Sequence, residues 1–124
     1  MRIGQIWQVR TAIQDKSQLI AVTDVAILQE IMHRYAALGR RDKGADIVEL
    51  FVQIVRDVLP VTRKDMMQAL ALYRERSDVQ TRDAVHAAVM ESHGITVIVT
   101  ANRHLDQFPT LRRIDPADWQ TIFA

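Results

Sequence analysis

The chain contains no cysteine and only four glycines, and it has no long run of apolar residues. The lack of cysteine excludes disulfides, thiolate metal sites and cysteine nucleophiles, and it fits a protein of the reducing cytoplasm. No apolar segment approaches the about 18 residues that a membrane-spanning helix needs, so we expect no membrane span. The patterns G-x-S-x-G, G-x-G-x-x-G and the Walker sequence are also absent, which argues against an α/β-hydrolase and against a nucleotide-binding loop.

The charge balance is close to neutral, with 16 Lys and Arg against 15 Asp and Glu and a net charge of +1. A protein that grips duplex DNA by charge alone would be far more basic, so this class is excluded. The length of 124 residues predicts a single domain, 1–124, with enough chain to bury a core.

Helical and strand patterns alternate along the chain. Apolar residues at helical spacing, N-terminal caps and glycine stops predict helices over 3–16, from a cap at Thr23 or Asp24 to near Gly39, and over 41–56, 63–76 and 82–93. Short apolar runs predict strands at 19–22, 58–61, 96–99 and 111–114, with a turn of helix around 116–119. The residues predicted to face inward include Met32, Leu50, Ile54, Met66, Leu70 and Tyr73. The alternation predicts a parallel sheet of about four strands in a three-layer α/β/α domain.

The segment 81–116 is the most informative part of the chain for function. It contains a helix that opens on Asp83, a stop at Gly94, a buried strand at 95–99 and a polar turn from Thr100 to Asp106. Parallel sheets bind ligands at the carboxyl ends of their strands, so this turn is a candidate site. The order and spacing resemble the C-terminal half of the PIN-domain nucleases, especially the VapC-like toxins of toxin–antitoxin pairs, and the resemblance extends over about residues 20–116.

The resemblance implies a site in which about four carboxylates hold Mg²⁺ or Mn²⁺, hard cations that prefer oxygen ligands. Glu30 matches the second acid of the family, Asp83 the third, and Asp106 a more variable acid. Asn102 stands at the position of the fourth acid, and it offers a carbonyl oxygen but no charge. The resemblance therefore implies Glu30, Asp83, Asn102 and Asp106 as metal ligands, with Glu30, Asp83 and Asp106 as catalytic residues.

Each of these residues also has a structural interpretation. Glu30 could be a solvated residue beside a buried stripe, Asp83 a first-turn acid favoured by the helix dipole, and Asp106 a turn or cap residue. Asp24 is predicted to be an N-cap rather than a ligand. His86, one turn after Asp83, could face it, and His104 lies in the polar turn, but an ordinary structural role is predicted for every histidine. No zinc site is predicted, because no H-E-x-x-H spacing is present.

The N-terminus departs from the pattern of the family. By resemblance, the PIN fold has a first strand at the centre of the sheet that ends in an acid of the form D-x-N. Nothing in residues 1–8 supplies that strand or that acid, so the central N-terminal strand is predicted to be missing. We expect a start upstream of Met1 rather than the loss of a central strand, because such a loss would expose two ladders of unpaired backbone groups.

The resemblance implies a metal-dependent endoribonuclease that hydrolyses RNA phosphodiesters with activated water, is blocked by an antitoxin protein and pairs as a homodimer. The missing first acid and Asn102 support an alternative, a PIN-like protein without nuclease activity that acts as a binding module. A third hypothesis is an α/β interaction domain unrelated to nucleases. The sequence does not identify the RNA target.

Overall fold

A five-stranded sheet with four α-helices makes up the described part of the chain. The computed structural model describes residues 7–12, 15–100, 102–115 and 118, and for 7–12 and 15–21 it describes the backbone. The strands are β1 Trp7–Ala12, β2 Asp15–Asp24, β3 Asp57–Leu59, β4 Val97–Val99 and β5 Arg112–Ile114. The helices are α1 Val25–Ala37, α2 Arg41–Ile54, α3 Arg63–Glu75, α4 Thr81–Ser92 and a short 3₁₀ helix, Arg103–Gln107. None of the described helices is both long and apolar enough to span a membrane.

The four strands predicted from the sequence are present and run in one direction. The order across the sheet is β3-β2-β1-β4-β5, with β2 parallel to β3, β4 parallel to β5, and β1 antiparallel to both β2 and β4. Gln8 pairs with Val22 on one side and with Ile98 on the other, so Val22 of β2 and Ile98 of β4 lie at the same height along the sheet. Their carboxyl ends, at Asp24 and Thr100, therefore meet at one edge of the sheet.

The N-terminal segment differs from its prediction. Residues 7–12 form a strand, and β2 already begins at Asp15, so the predicted helix over 3–16 is wrong where the structure describes it. The sequence Trp-Gln-Val-Arg-Thr alternates apolar or β-branched residues with polar ones, a strand period that competed with the helical spacing. β1 occupies the centre of the sheet, and because it runs antiparallel it ends away from the edge that carries Asp24. Most of the predicted turn at 116–119 lies outside the described residues.

The helices pack in two pairs, each with its own buried cluster, as expected for a three-layer α/β/α domain. Helix α1 begins at its predicted cap, where Asp24 Oδ1 accepts a hydrogen bond from the Ile27 N–H at 2.8 Å, and it is followed by Gly39 at φ 71°. Ile27, Ile31 and Tyr35 of α1 are buried in one cluster with Phe51 and Val55.

Helix α4 is the most buried helix of the described chain, and it carries Asp83 into the interior. Ala84, Ala87, Ala88 and Met90 are each at most 1% exposed and pack in one cluster with residues of β2 and β4. A helix that is apolar on nearly all sides belongs in a core, and burying a side chain such as Met90 contributes about 1.5–3 kcal/mol. This apolar burial offsets the cost of the polar side chains on the same helix.

Part of the predicted apolar faces is exposed. Met32, Leu50, Ile54, Met66, Leu70 and Tyr73 are between 38% and 56% exposed. Helical spacing identifies which residues share a face, but another element must lie over that face to bury it, and no described element does so here. The prediction that these six side chains face inward is therefore wrong.

The N-terminus of α3 is a capping box. The Thr62 hydroxyl accepts from the Asp65 N–H at 3.2 Å, and Asp65 Oδ2 accepts from the Thr62 N–H at 2.9 Å. We expect Thr62→Ala to lower the free energy of unfolding by about 1 kcal/mol, because the Asp65 N–H loses its acceptor. Urea unfolding measures this loss, and Lys64→Ala in the same exposed turn is the control. Equal losses in the two variants would contradict the assignment.

Candidate active site

A buried histidine connects three elements at the carboxyl edge of the sheet. His86 of α4 is 1% exposed, and its Nδ1 lies 2.9 Å from Asp24 Oδ2, at the junction of β2 and α1. Its Nε2 lies 3.7 Å from Glu30 Oε2 on α1. His86 therefore lies between two carboxylates, one in a hydrogen bond and one just beyond hydrogen-bond distance.

The two carboxylates determine the charge of His86. Burial by itself lowers the pKa of this imidazole, but pairing with Asp24 and with Glu30 outweighs burial and raises the pKa from its ordinary 6.5 to about 9. At neutral pH His86 is therefore a buried cation in a site that also contains buried acids.

Glu30 is an ion-paired residue rather than a freely solvated one. Its Oε1 lies 2.8 Å from Arg34 and 3.4 Å from Arg82, while its Oε2 is buried and has no hydrogen-bond partner. The pairing with His86 and the nearby charges of Arg34 and Arg82 keep the pKa of Glu30 below its usual range despite partial burial. One oxygen of Glu30 is thus held by two arginines, and the other, which has no hydrogen-bond partner, lies 3.7 Å from the imidazole of His86.

Asp83 shows the same division of roles between its two oxygens. The side chain is 2% exposed; Oδ1 accepts a hydrogen bond from Asn102 Nδ2 at 3.1 Å, and Oδ2 is buried without a partner. Burial raises the pKa of this carboxyl, although the charges of Arg82, His86 and His104 oppose the change. Asp83 and His86 are three residues apart on α4, so they are neighbours on the helix surface.

Asp106 has other contacts. Its Oδ1 lies 2.8 Å from Arg113 Nε, and the side chain is 56% exposed. Arg113 also donates to the carbonyl oxygen of Thr100 at 3.0 Å and lies 3.7 Å from Asp115. The structure thus brings Asp83 together with Asn102, and Glu30 together with His86 and Asp24, while Asp106 contacts Arg113 on β5.

The donor atoms at this edge are few, but they are oxygens, the ligands that a hard cation prefers. No three His, Asp or Glu side chains in the described chain are arranged to hold one metal ion together. Two buried carboxylate oxygens, Glu30 Oε2 and Asp83 Oδ2, nevertheless have no hydrogen-bond partner, which a folded protein seldom tolerates without a ligand or water. Glu30 Oε2 also has the charge of His86 at 3.7 Å. Mg²⁺ commonly takes one or two carboxylates and completes its shell with water and phosphate oxygens, so these residues fit such an ion.

The apolar hollow beside α3 is a separate feature. It lies between α3 and the first half of α4, and it is lined by Met66, Ala69, Leu70, Tyr73, Thr81, Ala84 and Val85. This lining contains no Asp, Glu, His, Lys or Arg side chain, so the candidate site is sought elsewhere.

The sequence prediction missed the role of His86. Asp24 was identified as an N-cap, which is correct, but its second contact with His86 spans 62 positions in the chain. The available signal was the near absence of polar residues between Ala84 and Met90, because a histidine within such a helix must be buried and must find partners.

The fold and the acidic edge agree with a known family. Residues 8–111 match the PIN domain, and the chain belongs to the PIN-domain family. It is similar to the VapC ribonuclease Mb1869c of Mycobacterium bovis and to the ribonuclease VapC13 of Mycobacterium tuberculosis. Each is 37% identical to it over 93 residues, which are 75% of this chain and 71% of the relative. The family predicted from the sequence is thereby confirmed.

Proposed function

We propose that this chain is a metal-dependent endoribonuclease of the VapC-like type. The observation that carries the proposal is the pair of buried carboxylate oxygens without a hydrogen-bond partner, Glu30 Oε2 and Asp83 Oδ2, in a PIN-domain chain similar to two named ribonucleases. Acidic groups buried without hydrogen-bond partners at the carboxyl ends of parallel strands are expected at a site for a cation and a phosphate.

In this proposal, side chains of the protein hold the cation and orient the RNA. Glu30 and Asp83 would hold Mg²⁺ or Mn²⁺, and that ion would polarise an RNA phosphate and supply activated water. His86, together with Arg34 and Arg82, keeps the carboxylate of Glu30 ionised. Both arginines lie on Oε1, so Oε2 is left facing His86, and an ion bound at Oε2 would have to share it with that ring. Arg82 is 47% exposed at the side chain and can reach a phosphate oxygen of the substrate.

The other two predicted ligands, Asp106 and Asn102, are not the main ligands of the cation in this proposal. Asp106 would have to leave Arg113 to reach an ion, and its exposure allows such a movement at small cost. Asn102 already uses its Oδ1 to accept the His104 N–H at 3.1 Å. We therefore assign the primary role in holding the cation to Glu30 and Asp83.

A second candidate function is a PIN-like binding module without nuclease activity. The pairing of Glu30 with Arg34 and Arg82, and of Asp106 with Arg113, favours it, because these cations already compensate two of the acids. An uncharged Asn102 reduces the negative charge further, and a less negative site holds a divalent ion more weakly.

Cleavage of structured RNA separates the two functions. Purified protein would be incubated with labelled stem-loop RNAs in Mn²⁺, in Mg²⁺ and in EDTA. Under the proposal, cleavage requires the metal, saturates with its concentration and stops in EDTA. Metal binding without cleavage of any RNA in a large pool of sequences would favour the binding module, and cleavage that persists in EDTA would contradict both.

The partners of this chain are also a proposal. From the family alone we propose an antitoxin protein that blocks the site, a homodimer, and action in the cytoplasm, where RNA is available. Light scattering during size-exclusion chromatography, at several protein concentrations, tests the homodimer. A mass near 14.2 kDa at every concentration would show a monomer.

A further inference from the structure

Asn102 occupies the position at which the family resemblance leads one to expect a fourth acid, and its side chain has two different partners. Oδ1 accepts the His104 N–H at 3.1 Å and so caps the 3₁₀ helix, while Nδ2 donates to Asp83 Oδ1 at 3.1 Å. The backbone N–H of Asn102 in turn donates to Thr100 Oγ1 at 3.0 Å. The reverse amide orientation would place an NH₂ group against an N–H and an oxygen against a carboxylate, so the network fixes the orientation.

This arrangement leaves Asp83 with one held oxygen and one free oxygen. Asp83 is 2% exposed, and Oδ2 has no partner. An acid at position 102 would still accept the His104 N–H, but it would place a second carboxylate about 3 Å from Asp83 in place of the donor. The change from acid to amide therefore alters one contact, the one with Asp83.

We propose that Asn102 is a positioning residue, which holds the carboxylate of Asp83 by a donated hydrogen bond and is not a ligand of the cation. The cation in this statement rests on the proposed function. As a consequence, the Asp83 side chain is held in place without metal, and the protein binds a divalent ion through one negative charge fewer than it would with an acid at position 102. The phosphate groups of RNA would then complete the shell of the ion.

Asn102→Asp tests the proposal because its expected effects on stability and on metal binding have opposite signs. In EDTA we expect the midpoint of thermal unfolding to fall by about 3–6 °C, as for the loss of roughly 1 kcal/mol in a domain of this size. The affinity for Mn²⁺, measured by calorimetry, should rise about tenfold, since a ligand charge is added. A residue with a merely structural role would lower stability without raising the affinity for Mn²⁺.

The matched control exchanges the two side chains. In Asp83→Asn combined with Asn102→Asp, the donor and acceptor are reversed and the net charge is that of the wild type. We expect the midpoint in EDTA to return to within about 2 °C of the wild type, because the hydrogen bond is restored. We expect the affinity for Mn²⁺ not to exceed that of the wild type.

The outcomes separate this inference from the proposed function. An unchanged midpoint in Asn102→Asp, or a Mn²⁺ affinity that does not rise, would overturn the inference even if the wild type cleaves RNA. If both effects appear as expected but the wild type cleaves no RNA, the role of Asn102 stands and the ribonuclease proposal fails. Failure of both proteins to bind Mn²⁺ at millimolar concentration would overturn the cation half of the inference.

Discussion

Asp83→Asn is expected to abolish metal-dependent RNA cleavage without destabilising the protein. Asp83 is the more deeply buried of the two residues that the proposal assigns to the cation, at 2% exposed against 18% for the side chain of Glu30, and an amide at position 83 removes the charge. Loss of groups that only support a metal ligand already costs roughly 10- to 100-fold in affinity or activity, so we expect the rate to fall by at least about 100-fold.

An ordinary core mutation lowers stability, whereas we expect Asp83→Asn to leave the stability unchanged or to raise it. Burial raises the pKa of the Asp83 carboxyl, so at neutral pH the ionised form costs folding free energy in the metal-free protein. Asparagine removes this cost, and its carbonyl oxygen can still accept the hydrogen bond from Asn102. In EDTA the midpoint of unfolding should therefore stay the same or rise.

The measurement combines initial cleavage rates in Mn²⁺ with thermal unfolding in EDTA. Asp78→Asn, a change of the same type at an exposed position just before α4, should alter neither quantity. Equal cleavage by wild type and Asp83→Asn would remove Asp83 from the mechanism. A fall in both cleavage and stability would instead identify Asp83 as part of the fold alone.

The second large effect is a decrease in stability between pH 6.5 and about 9 in metal-free protein, caused by His86. The pKa of His86 is higher in the folded state than in the unfolded chain, where it is 6.5. The folded protein therefore binds the extra proton across this window, and its stabilisation is complete below pH 6.5 and lost as the pH rises through about 9. The difference corresponds to about 3 kcal/mol, at about 1.4 kcal/mol for each pKa unit.

Urea unfolding in EDTA at several pH values measures this dependence. In His86→Gln the decrease should disappear, because no group at this position gains or loses a proton. His33→Gln, an exposed histidine on α1, should keep the full decrease. If the free energy of unfolding of the wild type does not change between pH 6.5 and 9, His86 is neutral in the folded protein and is not ion-paired with Asp24 and Glu30.

Local interactions explain why so much of the fold could be predicted. The cap at Asp24, the box at Thr62 and Asp65, and the glycine after α1 each depend on residues within about four positions, and all are present. The four predicted strands were found because short apolar runs bounded by helices have few other interpretations. The segment 7–12 was misassigned because a stretch with both strand and helix spacing is decided by the partners available to it, here β2 and β4.

The acids of the candidate site were identified from the order of residues along the chain, whereas their contacts depend on distant segments. Glu30 contacts Arg82 and His86 from another helix, and Asp83 contacts Asn102 across 19 positions. The pairing of Asp106 with Arg113 likewise depends on the return of the chain through β5. No spacing rule gives these contacts, because each is fixed by how α1, α4 and the sheet pack together.

Short-range chemistry and family resemblance were enough to predict the class of domain, the caps and most strands, and the acids worth testing. The packing of the chain was needed to show which carboxylate oxygens lack a hydrogen-bond partner, that His86 is a buried cation, and that Asn102 donates to Asp83. Charge and hydrogen bonding at a buried site depend on the distance between groups that are far apart in the chain, and packing alone sets that distance.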